Sequence, residues 1–229
     1  MKYLNPGPVA TLVALLLTTA ALAADPSAER WGKAIAAFEE QDKQSAPAQE
    51  GIVFIGSSSI RLWDLKKGLP DLPCVNRGFG GSHMADSAYF ADRIIIPYRP
   101  RVVVVYAGGN DIAAGKSPEQ VADDFQALVK KVHVALPQTK IYFVSLFPTV
   151  ARQKLDDKMK QVNTLIEQFT KSDPRLGYID TRTRMTAADG GPRPELLRAD
   201  NLHMNDAGYA IWNEIVGPIV NAAYKAAEK

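Results

Sequence analysis

The chain has 229 residues, 46% of them hydrophobic and 23% charged, with a formal net charge of +2. That length and apolar content fit one α/β domain with a full core and leave little room for two. The near-balanced charge creates no field that favours nucleic acid or an anionic membrane, and there is no run of Lys and Arg, no repeat and no long low-complexity tract.

The first 23 residues stand apart. Lys2 gives a positive start, Val9 to Ala23 is apolar apart from scattered Thr, and Ala21-Leu22-Ala23 is a small-residue cleavage site. The pattern predicts a secretory signal over residues 1–23 and a single domain over 24–229, placing the protein in the periplasm or outside the cell. The apolar stretch is short of the ~20 residues a membrane span needs, so no stable membrane insertion is expected. Cys74 is the only cysteine, which rules out an intrachain disulfide; in a strand-like run it reads as a packing residue and not as a reactive thiol.

Further elements follow in order. Ala28 to Lys43 carries Trp31, Ile35 and Phe38 at helical spacing and is predicted to pack outside a sheet. Ile52 to Ile55 is a short continuous apolar run, the mark of a strand buried on both faces. Cys74 to Asn76 is a weaker strand, and Val102 to Tyr106 the strongest. Pro118 to Leu136 presents Val121, Phe125, Leu128, Val129 and Val132 on one helical face. Lys140 to Leu146 is a strand, Leu155 to Phe169 a helix with Met159, Val162, Ile166 and Phe169, and Tyr178 to Asp180 a short last strand. Asp206 to Ala226 closes the chain as a helix with Ile211, Ile215 and Ile219. Strand–helix alternation implies a parallel sheet covered on both faces by right-handed crossovers, with ligands bound beyond the carboxyl ends of the strands.

The chemically interesting residues fall at those ends. Ser57, Ser58 and Ser59 follow Gly56, which permits a sharp strand-to-helix turn. Serines there can cap the helix, or one can act as a nucleophile beside free N–H groups. Gly80-Gly81 after the second strand offers unobstructed backbone N–H groups, or a plain turn. Asn110 follows Gly108-Gly109 at the end of the strongest strand, where an amide can donate to an oxyanion or serve as a turn residue. Asp111 reads as a local cap. Asp200 lies three residues before His203, ahead of a helix that Asn205-Asp206 can start. A rigid turn would let Asp200 accept from one ring nitrogen and leave the other to take a serine proton. His133 sits among lysines and is expected at the surface, while His83, after the glycine pair, is a candidate pocket residue. No grouping of His, Asp and Glu has metal-ligand spacing, and neither metal nor other cofactor is expected.

Together these blocks resemble the SGNH (GDSL-like) hydrolases over about Gly51 to Ile219. Phe54-Ile55-Gly56-Ser57-Ser58-Ser59-Ile60 looks like the first family block, with Ser58 matching the nucleophile. Asn76-Arg77-Gly78-Phe79-Gly80-Gly81 looks like the second, with Gly81 matching the oxyanion glycine. Gly108-Gly109-Asn110-Asp111 carries the oxyanion asparagine, and Asp200-Asn201-Leu202-His203 the acid and base. The resemblance implies a flavodoxin-like three-layer α/β/α sandwich with a five-stranded parallel sheet in the order 2-1-3-4-5. It also implies cofactor-free ester hydrolysis, similar to that of small platelet-activating-factor acetylhydrolase-like esterases. Catalysis would fall to Ser58, Asp200 and His203, and oxyanion binding to Ser58, Gly81 and Asn110. One position departs from the family pattern: Ser57 stands where the family usually has Asp.

The expected protein is therefore a serine esterase of small or lipid-like esters, with a small-molecule ester as its partner. Two alternatives stand beside it: an O-acetylesterase of cell-wall carbohydrate, and a catalytically silent carbohydrate- or lipid-binding module. Acyl-chain length, leaving alcohol and oligomeric state are not legible in the sequence.

Overall fold

The computed structural model describes residues 26–227 and, of the residues before them, Met1 alone. The predicted signal segment lies outside the described residues. Five strands form one parallel sheet: β1 Ile52–Gly56, β2 Cys74–Gly78, β3 Val102–Tyr106, β4 Lys140–Val144 and β5 Leu176–Ile179, in the order β2-β1-β3-β4-β5. The expected strand order is therefore observed. The helices are α1 Pro26–Gln44, α2 Ser58–Arg61, α3 Leu65–Gly68, α4 Met84–Tyr89, α5 Ala91–Ile94, α6 Gly109–Ala113, α7 Pro118–Ala135, α8 Asp156–Thr170, α9 Arg182–Met185 and α10 Asp206–Ala226. Among the described residues no helix is long and apolar enough to cross a membrane.

The central strands are apolar at every position because both faces are covered; β1 and β3 are buried throughout. Val105 of β3 pairs with Phe143 of β4, so these two side chains share a face and Tyr106 points to the other. Phe125 of α7 packs edge-on against Phe143, with ring centroids 5.5 Å apart, whereas Trp212 of α10 packs against Tyr106 at 4.8 Å. Helices α7 and α10 therefore cover opposite faces, giving three layers. Helix α7 starts at a reciprocal cap: Ser117 Oγ accepts from Gln120 N and Gln120 Oε1 accepts from Ser117 N. On the β2 side, Arg77 inside the sheet edge pairs with Asp42 of α1 and donates to Tyr98 Oη at 2.8 Å, docking the first helix.

Several boundaries and one helix face differ from the sequence reading. β4 stops at Val144 and not at Leu146, because Asn163 of α8 takes over both backbone groups of Leu146. β5 begins at Leu176, and Asp180 leaves it to cap Thr183 N at 3.1 Å. In α10 the core stripe is Tyr209, Trp212, Val216, Val220 and Ala223, whereas Ile211 and Ile215 are half-buried and Ile219 is 37% exposed. The aromatic stripe faces the sheet because Trp212 reaches Trp63, Tyr106, Phe147 and Tyr209 together, and large rings dominate the buried area. His133 is half-buried and not a surface residue, with Nε2 2.9 Å from the Thr139 carbonyl. Cys74 is half-buried, and burial pushes its thiol up to about 12, which leaves it an unreactive thiol at neutral pH.

Candidate active site

β1 ends at Gly56 with φ +139°, and a Cβ there would lie 2.0 Å from the Tyr106 carbonyl oxygen. Only glycine lets β1 run this close to β3 and turn sharply into α2. Ser57 N donates to that same Tyr106 carbonyl, and the Ser57 carbonyl accepts from Ile60 and Arg61, but the Ser57 hydroxyl caps nothing. Ser57 and Ser59 are buried and Ser58 is half-exposed. As the first residue of α2, Ser58 keeps a backbone N–H with no acceptor inside the helix.

The loop before α10 is built around Asn201, whose φ of +58° is left-handed, a conformation asparagine tolerates. This bend folds the Asp200 carboxylate back over the chain. Asp200 Oδ1 accepts from Leu202 N at 3.0 Å and from His203 N at 2.9 Å, and Oδ2 lies 2.7 Å from His203 Nδ1. These bonds, the ring N–H first, hold the Asp200 carboxyl well below the usual carboxylate range. Asn205 then caps α10 by accepting from Ala207 N and Gly208 N. On the other side of the ring, His203 Nε2 lies 2.9 Å from Ser58 Oγ, joining residues 145 apart in sequence. With a carboxylate at Nδ1, the neutral ring carries its proton there, and Nε2 accepts from the serine hydroxyl.

Asn110 opens onto the same place from the end of β3. Its Nδ2 donates to the Ser82 carbonyl at 3.0 Å, and its Oδ1 accepts from Arg152 Nη2 at 2.6 Å. A carbonyl on one side and a guanidinium on the other fix which way the amide faces. One Nδ2–H is used by Ser82, and the second remains. Asp111 next to it is fully buried and structural, accepting from Met84 N and Lys116 Nζ.

Ser58, Asn110 and His203 line one cavity of about 30 Å³, whose apolar wall includes Leu146, Phe147 and Met159. Gly81 does not line it. The link from Gly81 is its neighbour Ser82, which holds Asn110; Gly81 itself has φ +84° and lies against Trp31, 3.3 Å from where a Cβ would stand. His83 does not line the cavity either: it precedes α4, and its N–H is held at 2.7 Å by Asp86. Two polar lining residues escaped the sequence reading. Arg152 and Thr149 come from the segment between β4 and α8, where a lone Arg and a lone Thr carry no motif.

A serine hydroxyl, an imidazole and a carboxylate in line at the carboxyl edge of a parallel sheet define a serine hydrolase. The GDSL-like Lipase/Acylhydrolase family model matches residues 62–211, and the chain belongs to that family. The matched span begins just after Ser58 and includes Gly81, Asn110, Asp200 and His203. The human platelet-activating factor acetylhydrolase IB subunit alpha2 is 27% identical over 168 residues, covering 69% of this chain and 71% of the relative. Among solved structures, a GDSL-like lipase from Bacteroides thetaiotaomicron aligns with a TM-score of 0.68 at 17% identity, over 85% of this chain and 97% of that one. A mutant of an acetyl-xylooligosaccharide esterase from Geobacillus stearothermophilus aligns with a TM-score of 0.62 at 16% identity, over 76% of this chain and 95% of that one. The chain is a carboxylic ester hydrolase of the serine type.

Proposed function

We propose that Ser58, His203 and Asp200 remove a short acyl group from an ester by two-step acyl transfer. The observation that carries this is the unbroken line from Asp200 Oδ2 through His203 to Ser58 Oγ, with contacts of 2.7 and 2.9 Å. Ser58 Oγ attacks the acyl carbon as its proton passes to His203 Nε2. Asp200, ionised, faces the imidazolium that forms. The tetrahedral oxyanion takes hydrogen bonds from Ser58 N–H and the spare Asn110 Nδ2–H, while Gly81, outside the cavity lining, acts through Ser82, which holds Asn110. The intermediate collapses, His203 returns the proton to the leaving alcohol, and the acyl group stays on Ser58. Water then attacks the acyl-enzyme with His203 as base, releasing the acid.

The acyl group is small. The cavity beside Ser58 is small, about 30 Å³, and walled by Leu146, Phe147 and Met159, which favours a small acyl group. Acetyl fits, and a long chain would have to displace Leu146, Phe147 or Met159. The curated relatives carry acetylhydrolase in their names, in accord with this size. The same cavity would accept the acetyl group of an acetylated sugar, so carbohydrate O-acetyl esters form the second substrate class. Replacing Ser58 by Ala tests the reading: p-nitrophenyl acetate turnover should fall by several orders of magnitude, and unchanged turnover would refute it.

The hydrophobic stretch ending in Ala21-Leu22-Ala23 supports export with cleavage after Ala23. Cell fractionation with N-terminal sequencing checks this: an exported chain starting at Ala24 agrees, and a cytoplasmic chain starting at Met1 does not.

A further inference from the structure

We infer that Arg152 is a positioning residue for the oxyanion site, acting through Asn110 and not on the substrate directly. The inference rests on the reading of Asn110 as an oxyanion donor. Arg152 lines the cavity with Ser58, Asn110 and His203, yet among the described residues no carboxylate forms an ion pair with it. The buried acid whose charge acts on it, Asp111, is already held by Lys116 at 3.0 Å and by the backbone of Met84. Burial works against the guanidinium charge and lowers its proton affinity, so this cation is kept in the site at an energetic cost. Its one side-chain bond is to Asn110 Oδ1, at 2.6 Å.

That bond sits at the far end of the amide from the proposed oxyanion. A charge-assisted donor on the amide oxygen draws electron density from the nitrogen and makes each Nδ2–H a stronger donor, since hydrogen bonds in series polarise one another. The same bond, with Ser82 on the other side, prevents the amide from rotating its oxygen toward the site, where it would repel an oxyanion. The surroundings are shaped for this contact. Gly109 leaves room for the guanidinium, because a Cβ at that position would lie 3.0 Å from Arg152 Nη1. Arg152 itself breaks the helical turns of Val150–Leu155, with φ −125° and ψ 19°. Thr149, buried against the same cavity, has a hydroxyl with no hydrogen-bond partner, so Arg152 is the polar group of this segment that holds Asn110.

The test is a double-mutant cycle on p-nitrophenyl acetate with Arg152→Met, Asn110→Ala and the pair, with melting temperatures recorded for each. In the native background Arg152→Met should lower kcat about tenfold or more, while KM stays within about twofold, the pattern of an interaction made only in the transition state. In the Asn110→Ala background the same change should alter kcat less than about twofold, because the group it acts through is gone. Arg152→Lys, which keeps the charge without the planar fork, should recover part of the loss. Equal effects of Arg152→Met in both backgrounds would overturn the inference, as would a loss confined to KM or a loss explained by the folded fraction alone. Turnover that survived Ser58→Ala in an otherwise native chain would instead overturn the proposed function, whatever the cycle gave.

Discussion

The backbone N–H of Ala151 donates to the carbonyl of Asn201 at 3.0 Å. One hydrogen bond thus ties the segment that carries Arg152 to the loop that carries Asp200 and His203. The two halves of the proposed machinery, proton transfer and oxyanion binding, are held by neighbouring residues of this single contact. Asn201 accepts this bond from a left-handed backbone, with φ +58°.

Position 201 should therefore be sensitive to backbone preference. Asn201→Gly retains the left-handed bend and should leave turnover near the native rate. Asn201→Val must pay a strain of about 1–2 kcal/mol, lowering Tm by roughly 2–8 °C for a chain of this size, and should lower kcat as the acid–base loop shifts. Thermal melts and steady-state rates on both variants check this. A valine variant with native Tm and kcat would show that the loop does not depend on the bend.

The Asp200 carboxyl is depressed chiefly by the His203 ring, with backbone N–H groups of His203 and Leu202 second. A depressed carboxyl stabilises the fold above its unfolded value, near 3.9, and the contribution disappears as pH falls through the lower folded value. His203→Ala removes the largest cause, so an NMR titration should find the Asp200 midpoint higher in that variant. No movement would mean that the backbone donors alone set it. Asp200→Asn should lower kcat by about 10³-fold or more, by misorienting the ring and removing its counter-charge.

Much of this arrangement was legible before the structure. β1 and β3 announce themselves as continuous apolar runs because parallel strands are covered on both faces, and Gly56, Asn110 and the Asp200–His203 pair stand at predictable ends. The core face of α10 was not legible. Both Ile211-Ile215-Ile219 and Tyr209-Trp212-Val216 repeat at helical spacing, and only the pocket between Tyr106 and Phe147 decides for Trp212. Arg152 was invisible for a different reason: its partner Asn110 is 42 residues away, and a single cation in an irregular segment has no pattern. His83 looked like a pocket residue because it follows Gly81, yet Asp86 holds its backbone at the start of α4, away from the cavity lining.

Acyl length should be set by the cavity wall. Across p-nitrophenyl acetate, butyrate and hexanoate, kcat/KM should fall steadily, by about tenfold or more from first to last, since a longer chain must displace well-packed side chains at a total cost of about 1–3 kcal/mol. Met159→Ala should shift the preference toward butyrate while lowering Tm, because it removes a core side chain. A preference for hexanoate in the native enzyme would contradict the short-acyl reading.

The wall rests on an ion pair. Arg182 makes two bonds to Asp156, at 2.9 and 2.7 Å, and reaches the Leu146 carbonyl at 3.3 Å. Burial tends to raise the Asp156 carboxyl, but Arg182 and Lys160 outweigh it and hold it below its ordinary value. The stabilisation is therefore complete above the unfolded value and fades as pH falls through the folded one. Asp156→Asn should cost about 2 kcal/mol at pH 7, and the variant and native melting curves should converge in strong acid. A constant gap between them at all pH values would show that the pair's charge is not what stabilises this region.

The central claim is that Ser58, alone among three adjacent serines, is the nucleophile activated by His203. Labelling with a fluorophosphonate, followed by peptide mass spectrometry, tests it most directly. A single adduct on Ser58 is expected, formed far more slowly in His203→Ala. An adduct on Ser57 or Ser59, or equal labelling rates with and without His203, would contradict it.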